Sequence, residues 1–569
     1  MSLRSIFTRT ACVVALAALV AYTPAFWWGA PYATASDRTN AWGVDDEPPL
    51  GPLAQAHDII APKKEMNPNL GYPMLHPFMV LGAYAPYVGY LAVSGGLASP
   101  TVAYPHGFKD PVAALRNLTL IAHFLSVLLG VGIVLCAFGI AREMWDEATG
   151  VVAAVFAMLV YPMFYYARNS NVDVPVLFYT TAALWAFAVV VNRGLTLRRA
   201  ALLGVLAGCA VATKEPSFAS FVFAPFVLPF LRDSASGKRL WRDAQFWRAA
   251  AVATFAAAGS YALGSGMIVD FARWQAHLTF IRERVELGRS GGVAFAHFYP
   301  NTAQGHIEYA ARILALTRDA VSAPGIALGL AGIAVAIRRD PRSALLASSA
   351  LGYLAILFLS ARVIQLRYVM PVTFILAIYG GHAVTVAWRS SMPVVRWGTA
   401  ALALTTSLTL VLWASDLTYA MLRDSRYEAA VWLREHARPG DALEYFGSEH
   451  KHPPMPQWLT SRQAIPFRGS LYRADTSVVA IAAVTAAWNE RHPRFVVLVP
   501  DYTSAPGAPH AASCPPAIYR ALEDGSLGYR RAALFQSKTP LAWAHRPRLD
   551  HPVVNPPIRV YERVAEPAS

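Results

Sequence analysis

Four short polar runs stand at the ends of long apolar stretches, and each holds a side chain suited to group transfer. In Asp45-Asp46-Glu47-Pro48-Pro49-Leu50, which precedes the helix-compatible Leu53–Ile60, an acid either caps a helix start or presents a carboxylate as a general base at the membrane surface. The two uses are compatible, because a cap holds its side chain in fixed geometry. In Ala167-Arg168-Asn169-Ser170-Asn171-Val172-Asp173, Asp173 either caps the next helix or joins Arg168 in a polar site at the bilayer edge. Lys214, followed at once by Glu215-Pro216, is either a snorkelling anchor or a cation placed to neutralise a phosphate leaving group. Arg362 and Arg367-Tyr368-Val369-Met370-Pro371 form either an interfacial belt or a further cationic contact.

The elements that carry these runs are set by composition. With 55% hydrophobic and 15% charged residues and a mean hydropathy of +0.36, the 569-residue chain falls in the membrane class. Stretches free of Asp, Glu, Lys and Arg recur at 11–36, 117–141, 148–167, 174–192, 249–269, 320–337, 343–361, 368–388 and 397–415. Most approach the ~20 residues that a spanning helix needs. Two shorter runs, 200–213 and 216–231, flank Lys214-Glu215 and are extended by snorkelling Arg198, Arg199 and Lys214. The total is roughly eleven spans. The first run could alternatively be a secretory signal ending at Ala33-Thr34-Ala35, but it exceeds the usual apolar core of such signals.

The formal net charge of +14 resides largely in short loops between apolar runs, so it reflects topology and implies no nucleic-acid partner. Arg4 and Arg9, Arg142, Arg193 with Arg198 and Arg199, the segment Arg232–Arg248, Arg338-Arg339-Asp340-Pro341-Arg342, and Arg389 with Arg396 all fall inside if the Met66–Phe108 stretch does not cross. Its repeated prolines and glycines favour a juxtamembrane or re-entrant element. The N-terminus is then cytoplasmic and the first outer loop runs from about 37 to 115. The turns at 167–173, 214 and 362–367, the loop 270–318 and everything after 416 then lie on the outer face.

The chain divides into an all-α polytopic membrane domain, 1–415, and a small C-terminal α/β domain, 416–569. In the latter, helix-like Tyr427–His436 and Val478–Trp488 alternate with strand-like Leu443–Phe446 and Phe495–Val499. Loop 270–318 is either a lid lying on the membrane or a solvated face. Cys12, Cys136 and Cys209 lie in apolar runs and Cys514 alone in the tail, so no structural disulfide is expected there. His57, His76 and Glu65 lack ligand spacing, and no metal site is expected.

In this order, Asp46-Glu47, Tyr72-Pro73-Met74-Leu75, Ala167-Arg168 with Asp173, Ala212-Thr213-Lys214-Glu215 and Arg367-Tyr368-Val369-Met370-Pro371 resemble the GT-C-fold glycosyltransferases. The nearest resemblance is to bacterial relatives of the dolichyl-phosphate-mannose protein mannosyltransferases and the lipid A aminoarabinose transferases. The resemblance implies juxtamembrane helices in the first outer loop and inverting transfer of one sugar from a polyprenyl-phosphate carrier to a hydroxyl on the outer face of the inner membrane. It implies catalytic roles for Asp46, Glu47 and Asp173, with Asp46 as base. It also implies a donor-phosphate site at Lys214, Arg367 and Tyr368, and Arg168, Tyr72 and His76 are candidate substrate contacts. Aminoarabinose transferases carry Lys-Pro-Pro-Leu where this chain has Tyr72-Pro73-Met74-Leu75. That departure points from lipid A toward a protein or polysaccharide acceptor.

A lipid phosphate is a good leaving group, so no nucleotide or redox cofactor is required, and a divalent cation is compatible with the reaction. The expected partners are the carrier-linked sugar, its acceptor and membrane lipids. A transporter or flippase would instead place ionisable groups near mid-bilayer and show related helix repeats, neither of which is visible. A non-catalytic envelope assembly protein would tolerate loss of Asp46.

Overall fold

The computed structural model describes the chain except for residues 1–7, 33–38, 44–45, 47–48, 61–70, 224–239, 290–298, 362–363, 448–451, 457, 465–476, 500–513, 515, 542, 544–552 and 565–569. Asp45, Glu47, Glu65 and Arg362 therefore lie outside the described residues. The chain forms two compact units. The first comprises residues 1–26, 51–85 and 121–414, and the second comprises 27–50, 86–120 and 415–569. Two stretches of the expected first outer loop thus belong with the C-terminal segment.

The first unit is helical. Among the described residues five helical segments are long and apolar enough to cross a membrane: Pro111–Met144, Asp173–Arg193, Pro341–Leu359, Leu366–Trp388 and Pro393–His436. A sixth candidate is the pair Ala303–Val321 and Ala323–Arg339, bent by 99° at its break. Ser322, in the left-handed region at φ +66°, makes that break, and its side chain accepts the N–H of Gly325 to start the second helix. Arg9–Tyr22, Glu147–Met158 and Leu197–Thr213 are shorter helices of 14, 12 and 17 residues.

Close packing positions the Leu197–Thr213 helix, which ends at Lys214. Gly204 and Gly208 face the Ala244–Gly264 helix so closely that an added Cβ would come within 2.2 Å of the Ala253 carbonyl oxygen and 2.3 Å of that of Ala257. This small-xxx-small spacing is the usual device by which helix backbones approach within a membrane. At the far ends of the neighbouring helices Arg193 donates to Glu143, and Arg389 pairs with Asp146 at 2.7 Å.

Two expected outer-face segments are largely helical. The Met66–Phe108 stretch contains a helix, Leu75–Val93, that runs through Pro86. Pro77 falls in its first turns, where a missing N–H costs little, and the unit boundary falls at Pro86. The connection 270–318 holds two helices, Phe271–Arg289 and Ala303–Val321.

In the second unit, a five-stranded sheet has the order β2-β1-β3-β5-β4, with β1 Ala442–Tyr445, β2 Thr460–Gln463, β3 Phe495–Leu498, β4 Tyr529–Phe535 and β5 Ile558–Arg563. β1 pairs parallel with β2 and β3, and β5 pairs antiparallel with β3 and β4. Alternation sends Leu443, Tyr445, Phe495, Val497 and Val560 to one face, packed on Ala429 and Leu433. Val496, Leu498 and Tyr561 go to the other, against Val484, Trp488, Ile518 and Leu522. Both faces are covered, which is why β3 reads as an unbroken apolar run. Arg426, fully buried, donates to Asp424 and stacks 3.7 Å from the Trp42 ring, while Trp28 donates to the same carboxylate at 3.0 Å. The stretch 27–50 is thereby pinned to the C-terminal segment within this unit.

Candidate active site

Asp173 is the first residue of the Asp173–Arg193 helix, and its backbone N–H donates to the Asn171 side-chain oxygen at 2.7 Å. A carboxylate in a first helical turn is favoured by the unpaired N–H groups there. Lys214 closes the Leu197–Thr213 helix, donating its N–H to Ala210 and turning the chain into a 3-10 turn, Glu215–Phe221, with Pro216 at its start. Arg367 stands in a second 3-10 turn, Leu366–Val369, just before the Met370–Trp388 helix. Three helix ends therefore deliver one acid and two cations to one place.

Lys214 Nζ donates to Asp173 Oδ1 at 2.5 Å, and Arg367 Nε lies 3.4 Å from Oδ2. All three side chains are largely buried. The ammonium sits between two aromatic rings, 4.8 Å from the centroid of Tyr368 and 5.4 Å from that of Tyr72. Burial is the largest influence and opposes its charge, but the Asp173 carboxylate together with Tyr72 and Tyr368 more than offsets it, so the lysine holds its proton more firmly than free lysine. The pocket is lined by Asp173, Lys214, Arg367 and Tyr353, with Thr180, Ser217 and Ser220 adding hydroxyls and Val176, Leu177, Pro216, Met370 and Pro371 adding an apolar wall.

A pocket with one carboxylate shared by two cations can exchange that carboxylate for, or share it with, an anionic group such as a phosphate. The apolar wall suits an alkyl or prenyl chain. Beside it, Glu215 contacts His277 of the Phe271–Arg289 helix, and Arg273 of the same helix lies 3.8 Å from Asp58. That helix is tied to both the 214–215 turn and the Leu50–Ile60 helix.

Of the residues singled out from the sequence, Asp173, Lys214, Arg367, Tyr368 and Tyr72 come together. His76 is buried nearby in the chain's first unit, its Nε2 3.2 Å from Ser170 Oγ. Arg168 goes elsewhere: its Nε and Nη2 donate to the carbonyls of Tyr22 and Ala21 at 3.2 and 3.0 Å. Those two bonds satisfy carbonyls at the end of the Arg9–Tyr22 helix, so Arg168 has a structural role there. Asp46 belongs to the second unit, where it is buried and its N–H donates to the Gly43 carbonyl at 3.3 Å. Thr180, Ser217, Ser220 and Tyr353 escaped the sequence reading. The available signal was the three-residue spacing of Lys214, Ser217 and Ser220.

Residues 114–261 match the family model described as dolichyl-phosphate-mannose-protein mannosyltransferase. No curated protein matches the chain. Among solved structures, the oligosaccharyltransferase of Archaeoglobus fulgidus, in complex with zinc and sulfate, is similar over 86% of this chain and 68% of its own, at 14% identity and a TM-score of 0.47. ArnT from Cupriavidus metallidurans in the apo state is similar over 96% of this chain and 97% of its own, at 12% identity and a TM-score of 0.48. The arabinofuranosyltransferase AftD from Mycobacteria is similar over 100% of this chain and 40% of its own, at 16% identity and a TM-score of 0.41. The matched stretch holds Arg168, Asp173 and Lys214, and by it this multi-pass membrane protein resembles the mannosyltransferase family to which its turn residues pointed.

Proposed function

We propose that the chain is an integral membrane glycosyltransferase that moves one sugar from a polyprenyl-phosphate carrier to an acceptor hydroxyl on the outer face of the inner membrane, with inversion. The observation that carries this reading is the convergence of Lys214 and Arg367 on Asp173 in a pocket with one apolar wall. The Asp173–Arg193 and Met370–Trp388 helices put the pocket and the Arg193 and Arg389 turns at opposite ends, about 30 Å apart at 1.5 Å per residue. Basic turns belong on the cytoplasmic side, so the pocket faces outward. In this reading about eleven spans cross the bilayer, the N-terminus is cytoplasmic and the C-terminal segment is extracytoplasmic.

In the reaction, the acceptor oxygen forms a bond to the anomeric carbon as the bond from that carbon to the phosphate oxygen breaks. The electron pair leaves on the phosphate, whose added charge Lys214 and Arg367 stabilise in a site of low dielectric. The acceptor proton passes to a base, which the family resemblance assigns to Asp46. Tyr368 and Tyr72 wall the lysine, and Asp173 orients it. No nucleotide or redox cofactor enters this balance. The acceptor hydroxyl belongs to a protein, polysaccharide or lipid, and the absence of the lysine that aminoarabinose transferases carry near Tyr72 favours the first two over lipid A.

The test is transfer from radiolabelled polyprenyl-phosphate sugars in membranes with matched levels of wild type, Asp46→Asn and Lys214→Ala. Wild-type activity is expected to vanish in Asp46→Asn and to fall at least 100-fold in Lys214→Ala, the scale of losing one charge-stabilising group. Consumption of no carrier sugar by the wild type would sink the assignment.

A further inference from the structure

In a 3-10 helix, side chains three residues apart eclipse one another. The turn Glu215–Phe221 is of this kind, with Lys214 as its cap, so Lys214, Ser217 and Ser220 form a column along one edge, and all three line the pocket. Ser217 is 4% exposed, and its hydroxyl has no hydrogen-bond partner among the described residues. Its backbone N–H is already used, donating to the Lys214 carbonyl at 3.1 Å, which fixes the column. Ser220 is also buried. A buried hydroxyl left without a partner inside a pocket that also holds two cations is a donor waiting for an acceptor with lone pairs to spare.

We infer that Ser217, with Ser220 beyond it, forms a second set of contacts to the phosphate of a prenyl phosphate ester, the hydroxyls donating to phosphate oxygens while Lys214 and Arg367 supply charge. This rests on the donor-phosphate reading given above. Among the described lining residues the charged groups are Lys214, Arg367 and Asp173, and neutral hydroxyls add hydrogen bonds to the several lone pairs of a phosphate without adding positive charge. The occupant is a lipid ester because the same cavity presents Val176, Leu177, Met370 and Pro371 beside the hydroxyls.

The experiment measures ligand-induced shifts in melting temperature of the full-length protein in detergent, titrated with farnesyl phosphate or inorganic phosphate. Wild type is compared with Ser217→Ala, Ser217→Thr, Ser217→Ala with Ser220→Ala, and Lys214→Ala. Farnesyl phosphate is expected to bind about tenfold more weakly to Ser217→Ala, and more weakly still to the double variant. Ser217→Thr, which keeps a hydroxyl, is expected to rescue binding. The unliganded melting temperature of Ser217→Ala is expected to be equal to or above wild type, since the substitution removes an unpaired buried group. Wild-type affinity in Ser217→Ala alongside weakened binding in Lys214→Ala would overturn the hydroxyl assignment and leave the phosphate reading standing. Wild-type affinity in both would overturn the phosphate reading itself. Equal affinity for inorganic phosphate would overturn the lipid assignment.

Discussion

Asp173 illustrates how much a single carboxylate organises. It is the common partner of Lys214 and Arg367, and without it two buried like charges would face each other across the pocket. Removing one member of a buried ionic group costs about 3–5 kcal/mol because the remaining charge is left uncompensated. Asp173→Ala is therefore expected to lower the unfolding free energy by that amount in chemical denaturation, and added prenyl phosphate is expected to recover part of it by replacing the lost negative charge. A variant as stable as wild type would show that the cations are not mutually dependent. The sequence made Asp173, Lys214 and Arg367 visible because charges at the ends of apolar runs stand out. Ser217 and Tyr353 did not stand out, since a serine or tyrosine beside apolar residues has no signature until the turn geometry brings it into the pocket.

At the level of elements, the Leu197–Thr213 helix delivers Lys214 only because Gly204 and Gly208 let it close on the Ala244–Gly264 helix. Gly208→Val is expected to force the pair apart and displace Lys214, reducing transfer about 100-fold, the cost of a misplacement of roughly 1 Å. Gly259→Val, on the facing helix where an added Cβ meets nothing within 4 Å, is the control and is expected to keep wild-type activity. Kinetic comparison of the two separates close packing from a general intolerance of valine. Elements were legible where periodicity was strong, as in the Phe495–Leu498 strand and the Ser425–His436 helix. They were not legible where charge broke the pattern. β2, Thr-Ser-Arg-Gln, has no large apolar side chain and is held by pairing with β1. β5 carries Arg559 and Glu562, whose charges are met by Glu523 and Arg494 on neighbouring elements.

For the whole molecule, the proposed sidedness rests on the separation of its charges, with the Arg193 and Arg389 turns at one end of the helices and the Asp173 pocket at the other. On a cysteine-free background, a membrane-impermeant maleimide added to intact spheroplasts is expected to label Thr302→Cys and to spare Ser391→Cys. The reverse pattern would invert the topology. The two-unit organisation was only partly legible. The sequence marks the transition near 415, but the return of 27–50 and 86–120 to the C-terminal segment depends on long-range packing such as Trp42 on Arg426, which no local pattern announces.

The 99° break at Ser322 has its own consequence. A bend of that size makes the pair either one broken span or a re-entrant element. In Ala303–Val321, Ile307, Ala310, Ala311 and Leu314 form an exposed apolar stripe, while Tyr309 turns inward and donates to the Leu357 carbonyl at 3.2 Å, with the Phe358 ring tilted against it at 5.9 Å. The inner side of this helix also packs against the Leu366–Val369 turn that carries Arg367. Through this one helix, the exposed apolar stripe and the turn that carries Arg367 are held in a fixed relation, so a shift of the stripe would be felt at the cationic pocket.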